Sequence, residues 1–213
     1  MGDMQIIQVY HGSDHVIRKP EYLGGKEDND YGNGFYTTEY EDRARSWAVL
    51  NGDSSHAIVN KYELKLEGLK ILDLMDFGIL AWIAEVVSNR GVNQDTAEIL
   101  GERLVKRYQV DSDEYDLIKG YRADDSYTQV IEAFLLNQLN LAEVERMFYK
   151  GSLGKQIFLK SEKAFRQIRW ISAYETEQTS SYRTEDIRAR REVNKFLQRR
   201  MRASLLDGYT VPG

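Results

Sequence analysis

The sequence contains no cysteine, only two prolines and only three histidines among its 213 residues. The lack of cysteine excludes disulfide bonds, thiolate metal sites and cysteine nucleophiles, and it is typical of proteins in a reducing cytoplasm. The sequence also has no apolar run of membrane-spanning length and no secretory signal pattern at its start. We therefore expect a cytoplasmic localisation and no membrane partner.

The composition predicts a folded protein whose charge is unevenly distributed. Hydrophobic residues make up 42% of the chain, which is ordinary for a globular domain. The net charge is −5, yet residues 183–202 carry eight Arg or Lys side chains against three acids. We expect one domain over residues 4–174, followed over residues 175–213 by a polar linker and a basic C-terminal helix. Such a helix either contacts nucleic acid or an acidic partner such as an antitoxin, or is a solvated face that neutralises the acidic body.

Strand and helix patterns interleave along the chain without regular alternation. Apolar alternation predicts strands at about 57–66, 69–74, 115–120, 154–159 and 167–174. Helical spacing and capping residues predict helices that begin near Thr38, Phe77, Asn93, Asp125, Asn140, Ser161 and Thr184. This order indicates an α+β fold with a mixed sheet and surrounding helices, rather than a doubly wound α/β fold.

The segment from Ile6 to Ser13 is the first of two stretches with unusual residues. An apolar run leads to His11, and the pair Gly12–Ser13 follows it. Glycine and serine after an apolar run are typical of a turn. The pattern therefore predicts a strand with His11 at its end.

The second stretch covers residues 31–47. Gly32 and Gly34 precede a short aromatic run, and Thr38 is followed three residues later by Glu41. The aromatic run predicts a strand, and the Thr–Glu pair is typical of a capping box at a helix start. We thus expect a tyrosine and a histidine at two strand ends beside the start of a helix.

Spacing excludes three familiar motifs. Gly32-x-Gly34 lacks the third glycine of a dinucleotide fingerprint and precedes a strand rather than a helix. The acids of residues 28–39 have the outer spacing of a calcium loop, but the positions between them lack the required ligand and glycine. His11 and His15 stand four residues apart, but Gly–Ser between them breaks any helix, and no third ligand has metal-site spacing. We expect no metal.

His11, Tyr36 and a polar residue on a later strand remain as candidate site residues. Each has an ordinary structural explanation when it is taken alone. A histidine at a strand end is commonly a hydrogen-bonded core residue, and a tyrosine in an aromatic strand commonly packs. Spacing alone leaves open whether these residues share an active site.

Together the two stretches resemble the ADP-ribosyltransferase superfamily. The likeness lies in Tyr10 to Ser13, in Gly32 to Thr38, and in Ala44 with Trp47, and it covers most of residues 6–170. It is closest to the His-Tyr-Glu clan, which includes diphtheria toxin and the poly(ADP-ribose) polymerases. The sequence is also similar to an uncharacterised bacterial family found beside small antitoxin-like genes.

The resemblance implies a split, strongly bent mixed sheet with NAD bound in its cleft. His11 then corresponds to the residue that hydrogen-bonds the adenosine ribose and the nicotinamide amide. Tyr36 corresponds to the ring that stacks on nicotinamide, with Trp47 as the opposite wall. The residues implied to contact NAD are His11, Gly12, Ser13, Gly34, Phe35, Tyr36, Thr37 and Trp47.

Gln156 aligns with the third motif position, where many members of the clan carry glutamate. Departure of nicotinamide leaves positive charge on the ribose, which a carboxylate stabilises. A carboxamide can orient a hydroxyl but carries no charge. Either a neighbouring acid supplies the charge, with Asp124 and Asp125 as candidates, or catalysis is slower, or NAD binds without turnover. Both aspartates can equally be helix caps.

The resulting hypothesis is an NAD-dependent mono-ADP-ribosyltransferase that acts as a bacterial toxin. His11, Tyr36 and Gln156 are its expected catalytic residues, and its acceptor is a protein side chain, transfer RNA or DNA. The alternatives are an NAD glycohydrolase, with water as acceptor, and a non-catalytic module that binds NAD or ADP-ribose. A structural interaction protein is the fourth hypothesis.

Overall fold

Two β-sheets that meet at one point form the framework of the fold. The computed structural model describes residues 5–51, 56–92, 95–123, 125–150, 154–177, 181–182, 184, 187–188, 191 and 194–200. The strands are β1 (Ile6–Ser13), β2 (Phe35–Thr37), β3 (Ile58–Lys65), β4 (Ile71–Asp73), β5 (Leu117–Tyr121), β6 (Lys155–Leu159) and β7 (Ile168–Glu175). The helices are α1 (Glu41–Asn51), α2 (Ile79–Arg90), α3 (Asp95–Tyr108), α4 (Asp125–Leu135), α5 (Leu141–Lys150) and α6 (Glu162–Gln167), with a 3₁₀ helix at Leu74–Phe77.

The two sheets differ in topology. The first is antiparallel, in the order β1-β3-β7, and the second is mixed, in the order β2-β6-β5-β4, with β4 parallel to β5. They meet where the Tyr10 amide donates to Thr38 O at 2.7 Å and the Thr38 amide donates to Tyr10 O at 2.9 Å. The predicted α+β class with a mixed sheet is confirmed. The bridge also places β1 beside β2, the two strands that carry His11 and Tyr36.

Strand β6 separates two hydrophobic clusters, because successive side chains of a strand point to opposite faces. Phe158 is buried with Trp82 of α2 in one cluster. Ile157 and Leu159 are buried with Tyr62 of β3 in the other. The alternation predicted for this strand is confirmed, and burial of each side chain contributes about 1.5–3 kcal/mol to stability.

The predicted end of β1 at His11 is wrong, because the strand continues through Ser13. His11 pairs with Asn60 of β3 inside the strand. Gly12 is explained by close packing rather than by a turn. A side chain at this position would place its Cβ atom 2.0 Å from Ala44 O of α1. The backbones of β1 and α1 are therefore in direct contact, which fixes the position of His11.

The predicted helix start at Thr38 is also wrong, because α1 begins at Glu41. The Thr38 hydroxyl donates to Lys155 O at 2.9 Å and accepts from the Tyr40 amide at 3.2 Å. Thr38 is held in the bridge between the two sheets, so its backbone is extended and the helix starts later. The helix buries Ala44, Trp47 and Ala48.

Two other predicted helix starts are confirmed in atomic detail. At α5, the Asn140 amide donates to the Glu143 carboxylate at 2.9 Å, and the Glu143 amide donates to Asn140 Oδ1 at 3.0 Å. This reciprocal pair is a capping box. At α6, the Ala164 amide donates to Ser161 Oγ at 3.1 Å. None of the helices in the described part of the chain has the length and apolarity needed to cross a bilayer.

The predicted C-terminal helix is described only in pieces, all of which are helical, and the longest is residues 194–200. Phe196 and Leu197 are partly buried against the cluster that contains Phe158. The Arg200 guanidinium Nε lies 2.9 Å from a Glu143 carboxylate oxygen. This basic segment therefore packs on the domain at α5. Residues 201–206 of the predicted helix lie outside the described residues.

Candidate functional site

A pocket of about 570 Å³ lies where the loop after β1 passes the start of β2. His11 and Tyr36 both line it, although they come from the two separate stretches of the sequence. Gly34, Phe35 and the loop residues 15–21 complete most of its wall. Ligand pockets commonly have volumes of about 300–1,000 Å³, so this pocket is large enough for a small molecule.

His11 is held by Tyr36 through its ring nitrogen Nδ1, which lies 2.6 Å from Tyr36 O. A carbonyl oxygen only accepts, so Nδ1 carries the proton and Nε2 is the acceptor of the neutral ring. The ring also packs on Phe35, with centroids 4.6 Å apart. Burial lowers the pKa of His11, although the bond to Tyr36 O opposes that effect. At neutral pH the pocket therefore contains an uncharged imidazole with a defined tautomer.

The Tyr36 side chain is fixed at its hydroxyl and on its ring. The hydroxyl donates to Gly32 O at 2.8 Å and accepts from the Tyr31 amide at 2.9 Å. Its ring stacks on Tyr31, with centroids 6.2 Å apart at 19°, and contacts the Phe158 ring at 4.8 Å. Burial raises the pKa of Tyr36, so the phenol stays protonated. It is a rigid, packed ring rather than a proton carrier, and Tyr36 contacts His11 through its backbone carbonyl.

The two glycines of the second stretch have separate structural reasons. Gly32 has φ of +82°, a conformation that favours glycine, and it provides the carbonyl that holds the Tyr36 hydroxyl. Gly34 has no room for a side chain, because an added Cβ atom would lie 2.4 Å from the Phe158 ring and 2.5 Å from Leu159 O. The Gly-x-Gly pattern thus shapes the entry into β2.

Exposed charged side chains stand on the loop at the rim of the pocket. Arg18 and Lys19 are cationic, and Glu21 is anionic. The Arg18 guanidinium lies 5.3 Å from the Trp170 ring centroid, which limits its freedom. The same loop residues line a second groove of about 430 Å³ next to α6. Two cations at the rim suit an anionic ligand group such as a phosphate.

Gly12 and Ser13, which the resemblance places at NAD, do not line this pocket. Gly12 faces α1, as its contact with Ala44 shows. The Ser13 hydroxyl donates to His15 O at 2.7 Å and accepts from Asn60 Nδ2 at 2.9 Å. These residues support the strand and the loop that carry the pocket wall.

Thr37 and Trp47 are also absent from the pocket wall. Thr37 is fully buried, and its hydroxyl donates to Ile157 O of β6 at 3.1 Å. Trp47 is buried in α1, and the Arg122 guanidinium lies 5.3 Å from its ring centroid. Trp47 therefore does not form the wall opposite Tyr36 in this structure.

Gln156 does not line the pocket and is only 2% exposed. Its Nε2 donates to Asp30 Oδ2 at 2.9 Å and to Tyr121 O at 3.3 Å. Because both partners only accept, the amide nitrogen must face them, which leaves Oε1 as the acceptor of the side chain. The carboxamide at the third motif position thus has one defined orientation.

Asp30 is the acid that the structure places beside Gln156, and sequence patterns singled it out only within the rejected calcium motif. Its carboxylate accepts from the Ala123 amide at 2.8 Å, from Gln156 at 2.9 Å and from Arg90 at 3.1 Å. The side chain is buried, with 6% exposure of the residue. Burial raises the pKa of Asp30, and these three donors oppose the rise. We call Asp30, Arg90, Ala123 and Gln156 the Asp30 network.

The residue after Asp30 anchors the same loop on the sheet. The Tyr31 hydroxyl donates to Tyr121 O at 2.5 Å and accepts from Trp82 Nε1 at 3.0 Å. Gly120 leaves space for the Tyr31 hydroxyl, because an added Cβ atom at Gly120 would lie 2.3 Å from it. The loop therefore has two buried attachments, one through the carboxylate of Asp30 and one through the phenol of Tyr31.

The acids predicted to stand near the ribose cannot be assigned that role from their positions. Asp124 lies outside the described residues, and Asp125 is the first residue of α4. Within the described ranges, no three His, Asp or Glu side chains lie close enough together to hold a metal ion.

The Asp30 network could not be found from the sequence pattern because its members are far apart in the chain. Asp30 is 60 residues from Arg90, 93 from Ala123 and 126 from Gln156. It also stands in an acidic run, where its neighbour Asp28 is exposed. Local patterns do not distinguish the buried acid from the solvated one.

A family model described as a protein of unknown function, DUF3990, matches residues 7–170. The matched range contains His11, Tyr36 and all four members of the Asp30 network. No curated protein and no solved structure matches the chain.

Proposed function

We propose that this chain, which belongs to the DUF3990 family of proteins of unknown function, is an NAD-dependent mono-ADP-ribosyltransferase. Its products are nicotinamide and an ADP-ribosylated macromolecule. One observation carries the proposal: the His11 ring, from one stretch, contacts the backbone carbonyl of Tyr36, from the other stretch, and both residues line one pocket. These two residues are also the core of the resemblance to the His-Tyr-Glu clan. The two joined sheets support the split-sheet architecture of that clan.

The reaction makes modest demands on proton transfer. Nicotinamide in NAD is already cationic, so it leaves without a general acid, and the difficulty is the positive charge that develops on the ribose. A cationic ring is attracted to an aromatic face by about 0.5–2 kcal/mol. Tyr36 holds such a ring in a fixed orientation against Phe158, and Phe35 presents one beside His11. A site for this chemistry therefore needs orientation and charge stabilisation more than an acid–base pair.

The neutral His11 ring suits the task of orienting a hydroxyl. Its Nδ1 is committed to Tyr36 O, so Nε2 can accept a hydrogen bond from a sugar hydroxyl. The cations at the rim, Arg18 and Lys19, suit the pyrophosphate of a dinucleotide. The lining thus combines the aromatic ring of Phe35, a hydrogen-bond acceptor and positive charge, which suit the nicotinamide, ribose and pyrophosphate of NAD.

The proposal is tested by incubating the purified protein with bacterial lysate and NAD labelled on its adenylate part. We expect label on a macromolecule and an equal amount of free nicotinamide. His11→Ala should reduce both at least about 100-fold, whereas His56→Ala, at an exposed histidine paired with Glu175, should leave them unchanged. Protease and nuclease digestion of the product then identify the acceptor as protein or nucleic acid. No label and no nicotinamide from the unaltered protein overturn the proposal.

A non-catalytic module that binds NAD or ADP-ribose is the second candidate, and the buried Gln156 favours it. For such a module, calorimetry detects ligand binding while nicotinamide release stays at the background rate. An NAD glycohydrolase gives a third outcome in the same assay, namely nicotinamide with free ADP-ribose and no labelled macromolecule.

The proposal includes action as a toxin in the bacterial cytoplasm, with a small antitoxin as partner. The basic segment around residues 183–202 is the surface we propose for an acidic antitoxin or for nucleic acid. Induced expression in a bacterial host should arrest growth, and His11→Ala should relieve the arrest at equal protein level. Growth arrest that persists with His11→Ala contradicts a toxic role for the transferase site.

A further inference from the structure

We infer that the groove between the loop after β1 and helix α6 binds single-stranded nucleic acid, with one base stacked on Tyr22 and the neighbouring phosphates held by cations on both walls. The groove has a volume of about 430 Å³ and lies next to the pocket that contains His11. This inference goes beyond the proposed NAD-dependent reaction and does not depend on it. The aromatic rings, the charges and the fixed shape of the groove support it.

Tyr22 is an exposed aromatic ring in the lining of the groove. It is 44% exposed, and its ring contacts Phe165 of α6 with 5.6 Å between centroids and 78° between planes. An edge-to-face contact of this kind leaves at least one face of the Tyr22 ring uncovered by Phe165. Every nucleobase has a flat π face, so a base of any identity can stack on such a ring.

The turn that carries Tyr22 has an unusual backbone. The Gly24 amide donates to Glu21 O at 3.1 Å, which closes the turn over residues 21–24. Leu23 has φ of +57°, a left-handed conformation that is uncommon for residues other than glycine. Tyr22 and Leu23, two large apolar side chains in succession, are thus exposed on a strained turn. Strained backbone is concentrated at sites that bind ligands.

The charged side chains of the groove favour an anionic ligand. Arg18 and Lys19 stand on the loop wall, and Arg166 stands on the helix wall. Among the residues that the structure describes, neither Arg18 nor Lys19 has a carboxylate partner. The lining also contains Glu21 and Glu162, of which Glu162 pairs with Arg166 at 3.2 Å. The groove is therefore net positive in a chain of net charge −5, and it matches the phosphates of a strand.

The loop wall of the groove is fixed on the first sheet. The Ile17 amide donates to Asn60 Oδ1 at 2.8 Å, and Ile17 O accepts from the Tyr62 hydroxyl at 2.6 Å. The guanidinium of the next residue, Arg18, lies 5.3 Å from the Trp170 ring centroid. Because these contacts already hold the wall in place, a ligand pays less conformational entropy when it binds.

The groove and the pocket are neighbours that can be altered separately. They share the wall formed by residues 18–21, and the Phe165 ring of the groove lies 6.4 Å from the Phe35 ring of the pocket. Of the two cavities, Tyr22 and Arg166 line only the groove. Variants at these two positions therefore test strand binding without changing the lining of the pocket.

Two alternatives compete with a strand in the groove. An acidic peptide is also attracted by the cations, but it has no flat bases to stack on Tyr22, so the exposed ring favours nucleic acid. The basic segment around residues 183–202 can attract a strand to another surface through charge alone. Only the groove makes binding depend on the Tyr22 ring.

The experiment measures the fluorescence anisotropy of labelled single strands of about 12 nucleotides, as DNA and as RNA, titrated with the full chain in the absence of NAD. We expect saturable binding, weakened at least about tenfold in Tyr22→Ala and kept within about threefold in Tyr22→Phe, which retains the ring. Tyr40→Ala is the matched control, because Tyr40 is also exposed and lines neither cavity. It should leave the affinity unchanged.

Arg166→Gln tests the phosphate contact. It removes one cation from the groove, so the slope of log K against log salt concentration should become less steep by about 0.7. Lys106→Gln, at an exposed cation of α3, should keep the slope of the unaltered protein. Calorimetry should give the same Kd for NAD in Arg166→Gln as in the unaltered protein.

The inference is overturned if neither single strand binds, if the duplex or a glutamate-rich peptide binds as tightly, or if folded Tyr22→Ala binds the strand like the unaltered protein. The last result assigns the strand to another surface, such as the basic segment. Thermal midpoints show which variants are folded, and if Tyr22→Ala does not fold, the salt slope of Arg166→Gln decides. Because these titrations contain no NAD, their failure leaves the proposed function standing, and absence of NAD turnover leaves this inference standing.

Discussion

The pocket and the Asp30 network adjoin one another but are built in different ways. The pocket is open to solvent, and its main residues come from two local stretches, with His11 on β1 and Tyr36 on β2. The network is buried and joins a loop, α2, β6 and the segment after β5 through Asp30, Arg90, Gln156 and Ala123. The pocket therefore presents groups to a ligand, whereas the network fixes the elements that surround it.

This difference predicts a division between two kinds of variant. Changes in the network should affect stability first, because they leave buried polar groups without partners. Changes at the exposed rim of the pocket should affect binding and leave stability nearly intact, because those side chains reach solvent. The following predictions test that division, from the largest expected effect to the smallest.

Asp30→Ala should have the largest effect on the free energy of unfolding. It removes the acceptor for the Arg90 guanidinium, the Ala123 amide and the Gln156 amide at once. Breaking a buried ion pair from one side costs about 3–5 kcal/mol. Urea unfolding measures the loss, and Asp28→Ala, at an exposed acid of the same loop, should change stability by less than about 0.5 kcal/mol. Equal effects of the two variants contradict the network.

Gly34→Ala should lower the free energy of unfolding by about 1–3 kcal/mol. The added methyl group meets the Phe158 ring and Leu159 O at about 2.4–2.5 Å, so β2 must shift away from β6. Gly154→Ala is the control, because a Cβ atom there meets only the flexible Arg43 side chain, at 3.0 Å. Urea unfolding of both variants checks the prediction, which fails if Gly34→Ala is as stable as the control.

His11 should make the protein lose stability on acidification. Burial lowers its folded-state pKa below the unfolded value of about 6.5. A depressed pKa stabilises the fold above the unfolded pKa, and that contribution is lost as the pH falls through the folded pKa. The difference in unfolding free energy between the unaltered protein and His11→Gln should therefore shrink from pH 7.5 toward acid. A difference that is independent of pH contradicts a neutral buried His11.

Lys19→Ala should have the smallest effect, and it should change only the affinity for the ligand. The side chain is exposed on the rim, so its loss should leave stability unchanged and weaken NAD binding by about two- to fivefold. The difference should fade in high salt, because exposed charges are screened. Calorimetry at low and high salt measures it. A loss of affinity that persists in high salt contradicts a purely electrostatic rim contact.

The sequence predicted those parts of the fold that depend on neighbours in the chain. The capping box of Asn140 and Glu143 and the cap at Ser161 are local hydrogen bonds, and both helices start as predicted. The alternation of β6 is likewise a local property, and Ile157, Phe158 and Leu159 alternate between the two clusters as it predicts. Local patterns succeed where the physical cause is itself local.

The failures lie where tertiary contacts override a local preference. Thr38 has the sequence of an N-cap, but the bridge to Tyr10 and the bond to Lys155 O keep it in extended backbone. Gly12 has the sequence of a turn, but its role is to let α1 approach β1. For the site, His11 and Tyr36 were predicted from local stretches, whereas Asp30 was missed because its partners are distant in sequence.

The central claim, that His11 and Tyr36 form a pocket for NAD, is tested most directly by calorimetric titration of NAD into the purified protein and into His11→Ala. The account predicts saturable binding with one site, weakened at least about tenfold in His11→Ala at a temperature where both proteins are folded. Absence of binding to the unaltered protein, or equal affinity in the two proteins, would contradict it.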